Sequence, residues 1–279
     1  WNGLFAQGFW EGSSREMCKE PHHPEKGLIT YYLPLAAGSQ KKWGTETEDF
    51  WCCHCTLVQA NAKYREWIFY RSSDSVTVAQ YLPAQSRFAF GGCNVSLELK
   101  EADLCGPMLE IRDIPQRIPS RPQYDRYCLQ ISCDKPAAFP LRFRLPRWLS
   151  GTAAFQVNGQ DCTPIIQDGY AVLCQTWNSD TVEITLPKRV ACIPLPDAPD
   201  MAAFADGPVV LAGLVGEERI LYGNPEDAST MIVPFDERRW TSWNKTYKTT
   251  NQDFGFYFKP LYDVGNEHYT VYFQIRRPK

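Results

Sequence analysis

Two different periods of apolar residues divide this chain. Leu57, Ala60, Tyr64, Trp67 and Ile68 recur at spacings of three and four, while Gln59, Lys63, Arg65 and Glu66 take the other faces. That spacing predicts one amphipathic helix, capped by Thr56 or Asp49 and ended before Arg71-Ser72-Ser73-Asp74. Beyond it the period falls to two. Segments 75–82, 93–99, 108–114, 126–132, 139–144, 153–157, 170–173 and 181–186 all read as strands. Asn158-Gly159 sits where a tight hairpin turn belongs. Short strands separated by Pro and Gly predict an antiparallel sandwich. Pro194, Pro196 and Pro199 mark a linker, and a second β region follows with strands at 208–215 and 269–275. Upstream of the helix, 28–35 reads as a short apolar strand stopped at Pro34, after a polar loop that fills most of 1–27.

Composition narrows the options only a little. A chain of 279 residues with 44% hydrophobic and 14% aromatic residues can bury a core in each of two domains. The net charge of -3, without a basic run, argues against nucleic acid or an anionic membrane surface as partner. No apolar stretch reaches the roughly 20 residues of a membrane-spanning helix. Eleven cysteines, an odd number without regular spacing, fit free thiols in a reducing, cytoplasmic setting better than a disulfide framework. The sequence opens at Trp1 with neither Met nor signal peptide, which suggests a piece of a longer protein.

The candidate chemistry sits where the helix begins, in Glu48-Asp49-Phe50-Trp51-Cys52-Cys53-His54-Cys55-Thr56. Adjacent cysteines bridge each other poorly, because a vicinal disulfide strains the backbone. As thiolates they suit one soft metal ion, and a thiolate at a helix N-terminus is an effective nucleophile. Ordinary buried thiols are the competing reading. His54 could add a third ligand or be a supporting or surface residue; Cys18 with His22 and His23 imitates ligand spacing inside a polar loop. Glu46, Glu48 and Asp49 could form an acid/base pair, but a solvated loop before a helix cap explains them more simply.

Several segments together resemble the C-terminal portion of glycoside hydrolase family 127, the β-L-arabinofuranosidases. They are Ile29-Thr30-Tyr31-Tyr32-Leu33-Pro34-Leu35, Phe50-Trp51-Cys52-Cys53, Ala62-Lys63-Tyr64 and Phe143-Arg144-Leu145-Pro146-Arg147-Trp148. Gly207-Pro208-Val209-Val210-Leu211-Ala212-Gly213, Pro260-Leu261-Tyr262 and Tyr269-Thr270-Val271-Tyr272-Phe273 follow in the family's order. The resemblance implies a mainly β chain. Two β-sandwich-type domains at 73–190 and 191–279 would follow a remnant, at 1–72, of an (α/α)6-barrel catalytic domain. It implies a retaining hydrolase in which a glutamate and three cysteines hold zinc. Carried over by position, Cys52 is nucleophile and zinc ligand, Cys53 is a ligand, and Tyr31 contacts the substrate. The acid/base glutamate and the other zinc ligands would precede Trp1, leaving the chain inactive alone.

The chain departs from the family after the cysteine pair. Gly-Thr-Gly with a later Glu, or Pro-Pro-Asn, is common there; here His54-Cys55-Thr56-Leu57-Val58-Gln59 follows, with Gln59 in the place of that Glu. The implied partners are a carbohydrate substrate and either a second copy or the absent barrel region. The rival reading is a non-catalytic carbohydrate-binding or assembly module.

Overall fold

The computed structural model describes residues 1–10, 27–45, 48–102, 108–111, 114–119, 121–235 and 243–277. Cys18, His22, His23 and Glu46 lie outside these residues, as does the side chain of Cys53. The chain is mainly β, with two large sheets and few helices. It divides into two compact units. One is Val58–Gly106 with Pro122–Lys188; the other is Trp1–Leu57, Pro107–Arg121 and Arg189–Lys279.

The unit containing Val58–Gly106 is built on two long strands, Tyr124–Arg144 and Tyr170–Pro187, paired antiparallel along their length with a register shift between Trp177 and Ser179. The other strands of this sheet add on to these two. Cys93–Glu101 pairs with the first half of Tyr124–Arg144 and carries Ala84–Phe90 on its outer side. Val76–Val78 pairs parallel with the second half and carries Phe69–Arg71. Ala154–Val157 and Ile165–Gln167 pair with opposite ends of Tyr170–Pro187. Expected strands 126–132 and 139–144 are thus one strand, as are 170–173 and 181–186. The interruption in the first strand falls at 133–136, which the pairing with Tyr170–Pro187 skips between Ser132 and Ala137, and the matching stretch of the second strand mostly faces solvent.

Alternation puts Val95, Leu97, Leu99, Leu129, Ile131, Leu141, Phe143, Val182, Ile184 and Leu186 into one core. Trp177 closes it, fully buried, with its indole N–H donated to the Phe139 carbonyl at 2.8 Å. Burying so large a ring requires that partner, because an unpaired buried N–H costs about 1–3 kcal/mol. The Asn158-Gly159 hairpin forms as expected, with φ of 53° and 78° that match a two-residue turn joining Ala154–Val157 to Gln160–Cys162.

In the other unit, an eight-stranded sheet orders Ile220–Tyr222, Phe273–Arg276, Met201–Asp206, Val209–Gly213, Tyr257–Pro260, Tyr247–Thr249 and Ile232–Pro234, with Val190–Pro194 added on Met201–Asp206. Phe204, Phe256, Phe258 and Phe273 pack ring on ring beneath it. Gly213 is required there, since a Cβ would meet Phe273 at 2.6 Å and Phe256 at 2.8 Å. Beside this core Asp206 accepts hydrogen bonds from the Arg121 guanidinium and from the Tyr247 hydroxyl at 2.6 Å. Burial, and then the Asp206 carboxylate, keeps that phenol protonated well above its usual range.

The helix expected after the cysteines is Cys52–Lys63, continued as a 3-10 turn over Tyr64–Trp67. Leu57 and Ile68 are buried, whereas Trp67 and Val58 are exposed. Its only helical companion of α type among the described residues is the single turn Leu4–Gln7. The described residues therefore show no paired-helix remnant of an (α/α)6 barrel. No helix among them is long and apolar enough to cross a membrane.

Candidate active site at the helix start

A short loop delivers the chain to the helix. Thr45 Oγ1 accepts from the backbone N–H of Glu48 at 3.0 Å and of Asp49 at 3.1 Å, and Asp49 Oδ2 accepts from Thr45 N–H at 2.7 Å. Asp49 thus closes this turn and does not cap the helix; the Thr56 alternative fails as well, because Thr56 lies within the helix. The residue before the helix is Trp51, whose ring lies across Gly44 so closely that a Cβ at Gly44 would come within 2.9 Å of it. Cys52 follows as the first helical residue, with an exposed thiol.

Tyr31 reaches the same place from a different segment. Thr30 is bridged to Trp43, Gly44 N–H donates to the Ile29 carbonyl at 3.0 Å, and Gln7 Nε2 donates to the Tyr31 carbonyl at 3.1 Å. These bonds hold the Tyr31 hydroxyl 3.9 Å from Cys52 Sγ, within reach of a weak O–H···S interaction. Tyr31 is 42% exposed, so the pair is open to a ligand. The Tyr31 ring packs on Trp51 at 5.4 Å and on Tyr32 at 5.7 Å, and Trp51 packs on His54 at 5.1 Å. The sequence alone pointed to Tyr31 and Cys52; it did not pick out Trp51 as the ring between them, although a Trp directly before the cysteines was the available signal.

The Tyr31 segment is anchored below. Lys41 is 3% exposed, and its ammonium donates to the carbonyls of Ala6 at 2.6 Å, Leu261 at 2.9 Å and Val264 at 2.8 Å. The Tyr269 hydroxyl donates to the Pro34 carbonyl at 2.5 Å, and burial pushes that phenol up to about 12.

Zinc was the implied cofactor. Among the described residues no three His, Cys, Asp or Glu side chains converge as a metal site. Structural zinc takes four ligands and catalytic zinc three plus water. The residues described here do not fit that ion by themselves. Cys55 is exposed, and His54 is 9% exposed with Nδ1 engaged by Trp51 N–H at 3.3 Å.

Comparison with known proteins finds a family match for one part of the chain, outside the residues of this site. Residues 75–188 match the family model described as Beta-L-arabinofuranosidase, GH127 middle domain. Among solved structures, a GH127 β-L-arabinofuranosidase from Geobacillus stearothermophilus T6 is similar at 18% identity and a TM-score of 0.57, covering 81% of this chain and 37% of that one. The GH127 β-arabinofuranosidase BT3674 is similar at 15% identity and a TM-score of 0.62, covering 90% of this chain and 43% of that one. A structure described as a glycoside hydrolase is similar at 18% identity and a TM-score of 0.61, covering 90% and 45%. At such identities the likeness is one of fold, and the chain spans less than half the length of these structures. Curated proteins give no significant sequence match. Residues 75–188 thus correspond to the GH127 β-L-arabinofuranosidase middle domain, and the rest of the chain is like these structures in fold.

Proposed function

We propose that this chain supplies the Cys52 end of the active site, with the β domains, of a retaining glycoside hydrolase that acts on a β-L-arabinofuranoside or related furanoside. One observation supports this most: an exposed thiol opens a helix with the Tyr31 hydroxyl 3.9 Å from its sulfur. In this reading 1–72 closes a catalytic domain, and 73–190 and 191–279 are the β domains that follow it in sequence.

The chemistry assigned to Cys52 is nucleophilic. Its thiolate attacks the anomeric carbon, the C–S bond forms as the C–O bond to the leaving group breaks, and an acid delivers a proton to the departing oxygen. Water then displaces the sulfur and gives its proton to the conjugate base, so two inversions retain configuration. Tyr31 orients the sugar or the sulfur. No residue of this chain is assigned as the acid/base group. No step is routed through zinc, which the described residues do not assemble.

A second reading follows from the exposed rings of Tyr32 and Phe50, at 60% and 71%. Such faces stack on sugars, so this end could bind carbohydrate without chemistry.

An L-arabinofuranose-configured cyclitol epoxide separates the two. Under reducing conditions it should alkylate Cys52 ahead of the exposed thiols Cys55 and Cys174, and L-arabinose should protect Cys52. Equal labelling of the three thiols, without protection, would sink the nucleophile assignment. Sugar binding that persists without labelling would favour the second reading.

A further inference from the structure

His54 directly follows the adjacent cysteines, and its contacts are specific. It is the third residue of the helix that Cys52 opens. Its backbone N–H donates to the Trp51 carbonyl at 2.9 Å, and its Nδ1 faces the Trp51 backbone N–H at 3.3 Å. A backbone amide can only donate. Nδ1 must therefore be the lone-pair nitrogen, and the proton of the neutral ring sits on Nε2. Nε2 is buried and has no hydrogen-bond partner among the described residues.

This is half of a capping box. In the usual form the third helical residue is Glu or Gln, whose side chain reaches back to the N–H of the residue before the helix. Here an imidazole does that work, with its ring held between Phe50 at 5.5 Å and Trp51 at 5.1 Å. The bond fixes the Trp51 amide, and through it the direction in which the chain enters the helix at Cys52. Metal ligation through Nε2 would require the proton to move to Nδ1, where it would point at the Trp51 N–H. The two roles exclude each other.

We propose that His54 is a positioning residue that fixes the Cys52 end of the helix through Nδ1 and presents Nε2–H as a donor, and so is not a third metal ligand. The proposal concerns the same site as the nucleophile assignment, but its test requires neither turnover nor a sugar.

The first measurement is a long-range 1H–15N correlation spectrum of the full chain near neutral pH, assigned through His54→Gln. His54 should show the Nε2–H tautomer, with and without added zinc. An Nδ1–H tautomer, or an Nε2 that loses its proton and shifts on zinc addition, would overturn the proposal.

The second measurement is the rate of iodoacetamide alkylation at Cys52 relative to Cys55, with buried Cys93 as the monitor of unfolding. His54→Ala should change the ratio by about fivefold, the usual worth of a helix cap, and His54→Gln should restore it. An unchanged ratio in His54→Ala, or His54→Gln behaving like His54→Ala, would refute positioning. If Cys93 becomes reactive in the variants, the tautomer of the unmodified chain decides.

Discussion

Replacing Lys41 by Met tests how firmly the segment carrying Tyr31 is held. The ammonium is 3% exposed and donates to three main-chain carbonyls, those of Ala6, Leu261 and Val264. Hydrogen bonds to charged groups contribute about 1.5–3 kcal/mol each, so three of them total about 5–9 kcal/mol. Taking the ammonium out of water costs several kcal/mol, which Met regains. Met matches the stem in length and apolar character, so packing changes little. The carbonyls cannot be substituted away, however, and remain buried without their donor. The net expectation is a loss of about 2–3 kcal/mol. Urea unfolding followed by tryptophan fluorescence reads this as a fall in midpoint at constant slope. In parallel, alkylation at Cys52 should quicken as the Tyr31 segment loosens. A variant within about 0.5 kcal/mol of the parent, the range of an ordinary surface change, would show that the carbonyls find other donors and that Lys41 holds nothing in place.

Other substitutions have equally definite outcomes. Gly213→Ala should destabilise by about 1–3 kcal/mol, because the new methyl enters the ring cluster of Phe256, Phe258 and Phe273; thermal unfolding at unchanged Tm would refute that packing. Trp177→Phe should cost at least about 1 kcal/mol, since it removes the indole donor to the Phe139 carbonyl and shrinks a fully buried ring, and urea titration checks it. Alkaline pH should unfold the protein. Burial raises Tyr81, Tyr127, Tyr247 and Tyr269 in the fold, so their stabilisation is complete below the ordinary phenol value and drains away as pH rises toward the raised ones. Cys133 and Cys192, pushed up to about 11 mainly by burial, act in the same sense from the ordinary thiol value upward. Tyr269→Phe should blunt the part of this loss that falls between the ordinary phenol value of 10.0 and about 12; an unchanged alkaline profile would contradict the assignment.

Much of the β architecture could be read from residue alternation. The strand Cys93–Glu101 and the Asn158-Gly159 hairpin were legible because one face is buried and the turn residues are specific. Ala84–Phe90 was not, since every residue on its apolar side is only half-buried and the signal stays weak. The two longest strands were read as four, because each is interrupted midway: 133–136 drop out of the pairing with Tyr170–Pro187 and mostly face solvent, while the strand resumes on either side. At the site, the adjacent cysteines stood out by their place before a helix, whereas Tyr31 was named only through the resemblance to a family. Spacing along the chain could not show that they meet, as the contact depends on the bridge from Thr30 to Trp43 and on the small Gly44 beneath Trp51. The role of His54 was hidden because it depends on which ring nitrogen meets the Trp51 amide. A histidine reads the same in sequence whether it caps a helix or binds a metal.

In the proposed function, the Cys52 end of the helix is one part of a glycosidase site whose metal centre the described residues do not complete. Zinc content per chain tests this directly, measured by elemental analysis of protein purified under reducing conditions without added metal. Zinc far below one per chain, with no difference between the parent and Cys52→Ser, is the predicted result. About one zinc per chain, lost in Cys52→Ser, would mean that this chain builds a complete thiolate centre, contrary to the proposed incomplete site.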